Sequence, residues 1–137
     1  MNIQTILLIA VGILIAAAAI YILTAKSSKE PWKEKTLSKI KQLNSLAGSS
    51  SKDALKSGLN DADKLLDFFL KSKRLKGETL GERLKNAQKV FSREDYNALW
   101  NAHKLRNKIA HEIDFETSIH VLQSEIKNIT RIVTRHL

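Results

Sequence analysis

The sequence predicts an all-α protein: one helix long enough to cross a membrane, followed by an antiparallel bundle of four helices. Three observations predict it. Residues 1–25 contain no charged side chain. From Lys52 onward, apolar residues recur every three or four positions rather than every second one. The 137 residues include one Pro and five Gly, too few breakers for a fold rich in strands and tight turns. The chain carries 23 Lys and Arg against 14 Asp and Glu, and the whole net charge of +9 lies on residues 26–137. This uneven distribution excludes a simple soluble globule and a low-complexity disordered chain. The absence of Cys excludes a disulfide scaffold and a thiolate metal site, and it agrees with a reducing compartment.

The first element is residues 1–25. Ile6 to Leu23 contains no strongly polar group, and Ile3 to Ala25 offers 23 usable residues. At about 1.5 Å per residue these span roughly 35 Å, enough for a hydrocarbon core of about 30 Å. Only a helix satisfies its own backbone there, and Tyr21 sits where an amphipathic ring suits the interface. A cleaved signal peptide is the rival reading. It usually begins with a basic stretch, which Met-Asn-Ile-Gln-Thr lacks, and Leu23-Thr24-Ala25 is a poor cleavage site. Lys26, Lys29, Lys33 and Lys35 follow at once. Because Lys and Arg mark the cytoplasmic side, the expected topology is single-pass in the inner (cytoplasmic) membrane. The N-terminus then points out and the C-terminal domain lies in the cytoplasm.

Residues 26–50 read as a basic juxtamembrane helix and linker. Six Lys and two Glu lie between 26 and 48. Pro31 suits a first helical turn, and Trp32, Leu37, Ile40 and Leu43 make the helix weakly amphipathic. It either touches anionic lipid, with Trp32 at the surface, or is a solvated stalk. Asn44 to Ser51 reads as the linker.

Residues 51–137 form the predicted helical domain. The first helix spans about Lys52–Lys73, with a Ser cap and a stripe of Leu55, Leu59, Ala62, Leu66 and Phe69. The second follows Gly77, where Thr79 and Glu82 have capping-box spacing, and carries Leu80, Leu84, Ala87 and Phe91. The third begins after Ser92, with Glu94 and Asp95 in its first turn, and runs to about Glu112. The fourth starts near Asp114 as its cap, with Phe115, Ile119, Leu122, Ile126, Ile129 and Val133 as a seam. Four helices in fewer than 90 residues give a modest core, so dimerisation is expected.

The third helix has two faces. Ala98, Ala102, Leu105, Ile109 and Ile113 project together as the expected core stripe. Tyr96, Trp100, His103, Asn107 and His111 stack along a neighbouring line, with Arg106 beside them. An Arg offers fixed donors to phosphate oxygens, a His moves protons near neutral pH, and an Asn orients either group. This mixture suits phosphodiester chemistry, although a His-rich face also serves as a packed dimer surface. His103 and His111 lie about 12 Å apart along the axis and cannot share an ion. No metal and no cofactor are expected.

The string Arg106-Asn107-Lys108-Ile109-Ala110-His111 resembles the signature of HEPN domains: an Arg, four to six residues, then a His, with a polar residue directly after the Arg. It lies late in a bundle helix, as in that family. The resemblance covers about residues 50–137, so the bundle is expected to be HEPN-like. The resemblance implies a metal-independent endoribonuclease that dimerises with its motif helices facing each other. Arg106 would hold the scissile phosphate, His111 would act as general base or acid, and Asn107 would position them. The products would carry a 2′,3′-cyclic phosphate and a 5′-hydroxyl. Other family members keep the fold as binding or scaffold modules.

His103 lies outside the signature; it extends the site or marks the dimer seam. Tyr96 and Trp100 are candidates for base stacking or for interface anchors. Lys104 and Lys108 add positive charge near the motif. The expected partners are RNA, a lipid bilayer through residues 3–25 and a second copy of the chain. The alternative is a non-catalytic helical interaction or scaffold module at the membrane, binding an unknown protein. Burial of Arg106 and His111 in ion pairs with Asp61, Asp63 or Asp67 would make the motif structural.

Overall fold

The computed structural model describes residues 1–26 and 30–137; Lys29, one of the lysines read as marking the cytoplasmic side, lies outside them. Among the described residues there are six helices and no strand. The chain divides into two compact units, Met1–Pro31 and Trp32–Leu137. The first is α1 (Ile3–Lys26), whose stretch Ile3–Ala25 includes an 18-residue window of mean hydropathy 3.0 that buries nothing within the protein. It is long and apolar enough to cross a membrane, a property that a signal sequence shares.

The second unit holds α2 (Pro31–Leu46) from Trp32 onward, α3 (Lys52–Ser72), α4 (Leu80–Asn86), α5 (Arg93–His111) and α6 (Ile119–Arg135). The strongly amphipathic α3 is central and packs on α4, α5 and α6. Its predicted stripe of Leu55, Leu59, Ala62, Leu66 and Phe69 is fully buried. Leu122, Ile126, Ile129, Ile132 and Val133 of α6 fill the opposite side of the same core.

The largest departure from the sequence reading is α2. It is neither stalk nor linker: Thr36, Ile40, Leu43 and Ala47 are buried in the core of the second unit. Asn44 to Leu46 is its last helical turn. Gly58 explains the close approach, because a Cβ there would lie 2.5 Å from Leu46 Cδ2 and 3.1 Å from Ile126 Cδ1. Asn44 Oδ1 also accepts a hydrogen bond of 2.7 Å from Thr130 on α6. Composition misleads here because Lys stems cover apolar surface while their heads stay in water.

Local chemistry sets the other boundaries. Ser51, Thr79, Ser92 and Ser118 cap α3, α4, α5 and α6 by accepting from the third residue onward. α3 ends in a left-handed Arg74 (φ 61°), with the Leu75 N–H on the Leu70 carbonyl at 3.1 Å and the Arg74 N–H on the Lys71 carbonyl at 2.8 Å. α4 stops at Asn86, so Ala87 and Phe91 are buried from the turn that follows. α6 begins at Ile119 rather than near Asp114, because the Ser118 hydroxyl supplies the cap. Phe115 therefore lies outside the helix, half-buried beneath Lys108.

One buried side-chain oxygen among the described residues has no hydrogen-bond partner: Glu125 Oε2 on α6. Burial pushes its carboxyl above the usual range, against a hydrogen bond from Asn128. The folded state therefore favours the protonated form, and this contribution to stability is lost as pH rises through the raised value. Glu125→Gln is expected to stabilise the protein slightly at neutral pH, by no more than about 0.5 kcal/mol because water screens the half-exposed group, with the gain shrinking toward pH 4.5. Thermal melts at both pH values check this, and an equal or negative change at neutral pH refutes it.

Candidate functional site

The α5 helix is turned relative to its expected orientation. Asp95, Leu99 and Ala102 are its buried residues. Ala98, Leu105 and Ile109 are half-buried, and Ile113 is fully exposed beyond the helix end. Of the predicted stripe, Ala102 is buried, Ala98, Leu105 and Ile109 pack against the core from its edge, and Ile113 alone lies away from it. The rotation brings the polar ridge partly against α3, where it finds partners.

Asn60 and Asp63 lie three residues apart on α3 and so share one face. Asp63 Oδ1 stands 2.8 Å from His103 Nδ1. Arg106 donates from Nε and Nη2 to Asn60 Oδ1 at 3.1 and 2.9 Å. It also donates from Nη1 to Asn107 Oδ1 at 3.0 Å and lies 3.6 Å from Asp63 Oδ2. Asn107 Nδ2 completes the circuit 3.2 Å from His103 Nε2. These contacts assign the hydrogens. Because Asn107 Oδ1 accepts from the guanidinium, its amide N–H faces Nε2, which accepts. Nδ1 then carries the proton toward Asp63.

The ring of contacts Asp63–His103–Asn107–Arg106 forms one wall of an open groove of about 490 Å³, which Lys64, Thr79 and Gly81 also line. Asp63 is 9% exposed at its side chain, His103 13% and Arg106 30%, so the carboxylate is interior and the guanidinium reaches water. The three aspartates of α3 have separate partners. Asp61 pairs with Lys39 at 2.8 Å, Asp63 serves α5, and Asp67 holds Arg83 and Lys71 at 2.6 and 2.8 Å.

The signature residues divide. Arg106 and Asn107 share the groove with His103, whereas His111 is exposed as the last residue of α5 and is not among the groove's lining residues. Five positions on a helix turn the side chain by about 140°. Tyr96, Trp100 and His103 form an edge-on ladder, with centroids 6.3 and 6.0 Å apart. Lys104 Nζ lies 5.9 Å from the Trp100 ring, and the two border a shallow depression with Asn97 and Asn101. Lys108 instead lies over Phe115.

Asn60 was not legible as a site residue, and Asp63 was legible only as a competing ion-pair partner for Arg106. Their signal was weak: polar residues three apart beside the Leu59–Ala62–Leu66 stripe, where a surface face is equally expected. Among the described residues, no three His, Cys, Asp or Glu side chains gather as a metal-binding group. Comparison with protein-family models, with curated proteins and with solved structures finds no match to this chain.

Proposed function

We propose that Trp32–Leu137 is a HEPN-like, dimeric RNA-binding domain that acts as a metal-independent endoribonuclease. In this reading α1 anchors it to the cytoplasmic membrane, N-terminus out, with the domain in the cytoplasm. The observation that carries the proposal is the Arg106 guanidinium, partly exposed in a groove with an amide and an oriented imidazole beside it. A guanidinium so placed binds phosphodiester oxygens. An imidazole then takes the proton of the ribose 2′-hydroxyl. The 2′-oxygen bonds to phosphorus as the bond from phosphorus to the 5′-oxygen breaks, and that oxygen collects a proton. The signature assigns the imidazole role to His111, which is exposed and available to a facing motif helix. Asn107 positions the reacting groups, and Trp100 with Tyr96 offers unpaired bases a stacking surface.

The experiment uses the full chain in detergent, because α2 belongs to the core, and incubates it with labelled RNA in EDTA. Cutting is expected. Arg106→Ala should lower the rate at least about 100-fold, and His111→Ala should abolish it with an unchanged unfolding midpoint. RNA left intact, and not retained by the protein, refutes the proposal.

A second reading has its own observation. Asp63 engages both His103 and Arg106, so the ridge also serves as the polar joint between α3 and α5. A chain that leaves RNA intact but loses stability on mutation of this joint is a non-catalytic interaction or scaffold module.

A further inference from the structure

We propose that the face formed by α2 and the C-terminal end of α3 docks on an anionic lipid surface. The sequence separates its residues by about 30 positions, and packing merges them. Trp32, at the start of α2, stacks obliquely on Phe69 of α3 with centroids 6.3 Å apart, and Lys73 Nζ lies 5.5 Å from both rings. One turn along α2, Lys35 Nζ lies 5.0 Å from the half-exposed Phe68 ring. Between the helices runs an open groove of about 520 Å³, with Leu65 and Phe68 among its apolar lining and Lys35, Lys39 and Lys64 among its basic residues.

The groove between the two helices is lined by more basic than acidic residues. Asp61 and Asp67 are already paired, with Lys39 and Lys71. Lys35, Lys64, Lys73 and Arg74 are exposed beyond those pairs. Half-exposed aromatic rings framed by lysines suit the headgroup boundary, where the ring is partly dehydrated and the ammonium meets phosphate. Each basic residue near an anionic leaflet strengthens association about fivefold. Lipid is favoured over RNA as the occupant because of covalent connection. Lys26 ends the membrane-length helix and Pro31 begins α2, five peptide units or at most about 19 Å of backbone later. A tether that short raises the effective concentration of a bilayer at this face and not of a nucleic acid. The inference rests on α1 staying in the bilayer and is independent of RNA cleavage.

The test places the full chain in nanodiscs of zwitterionic phospholipid, alone or mixed with anionic phosphatidylglycerol, and follows amide hydrogen exchange. The expected result is exchange at least about fivefold slower over residues 32–41 and 64–76 in the anionic discs. Residues 119–135 should be unchanged, and high salt should reverse the protection. Lys35→Ala combined with Lys73→Ala should remove most of the protection and leave α6 unaltered. Equal exchange in both lipids, or protection that salt does not affect, overturns the inference while leaving the anchor intact. Protection of the same residues by a single-stranded oligonucleotide in neutral discs, without any lipid effect, also overturns it. A chain recovered without lipid overturns the anchor and this inference together.

Discussion

Replacing Arg83 with alanine is expected to lower the unfolding free energy by about 2–3 kcal/mol, because it removes a buried guanidinium and strips two carbonyls of their donor, while Asp67 keeps Lys71. The Arg83 side chain is 5% exposed. It donates to Asp67 Oδ1 at 2.6 Å, to the Gly77 carbonyl and to the Glu78 carbonyl at 3.2 Å. It thus closes the loop between α3 and α4. Gly77, at φ +143°, allows the tight fit: a Cβ there would lie 2.7 Å from the Arg83 nitrogen. The variant also changes the response to acid. Burial opposes ionisation of Asp67, but hydrogen bonds from Arg83 and Lys71 outweigh it and hold the carboxyl below its ordinary value of 3.8. A depressed value contributes stability that is present above the ordinary range and lost as pH falls through the folded value. Without Arg83 that contribution shrinks, so acid unfolding should begin at higher pH than in the parent. Denaturant melts at neutral pH and an acid titration followed by circular dichroism check both statements. A loss below about 1 kcal/mol contradicts the first.

The second large effect concerns the joint itself. Asp63→Ala should cost about 2–3 kcal/mol, because it strips the acceptor from His103 Nδ1 and the counter-charge from Arg106 in a half-dehydrated site. Asp63→Asn keeps one acceptor and should cost less, about 1 kcal/mol. The same pair of variants separates the two functional readings. If the groove holds RNA, Asp63→Asn at matched folding should also weaken RNA retention and cutting, since the Arg106 guanidinium that grips the phosphate loses the carboxylate beside it and His103 loses its orienting charge. If the ridge is only a joint, stability alone changes. An unfolding midpoint unaltered by Asp63→Ala contradicts the structural role assigned to the ring of contacts.

Helices and their starts were legible because their causes are local. A Ser or Thr hydroxyl reaches the amide three residues on whatever surrounds it, so the caps at Ser51, Thr79 and Ser92 were readable. Asp114 was read as the last cap, whereas the Ser118 hydroxyl accepts from the Val121 amide and starts the helix four residues later. The uncharged run of residues 1–25 was equally plain, since spanning length is arithmetic on one segment.

Packing partners were not legible in the same way. Whether a Lys-rich helix such as α2 stands in water or lies on a core depends on what its few apolar residues meet, and that depends on Gly58 and Ile126, far along the chain. The rotation of α5 had the same origin. Arg106 and His103 turn inward because Asn60 and Asp63 wait on α3, and no property of residues 93–111 announces a partner some 40 positions away. Local rules act through the backbone and the nearest turn, so a linear reading captures them. The separate partners of Asp61, Asp63 and Asp67, and the separation of His111 from the groove that holds Arg106, follow from burial and direction. Those exist only once the helices are packed.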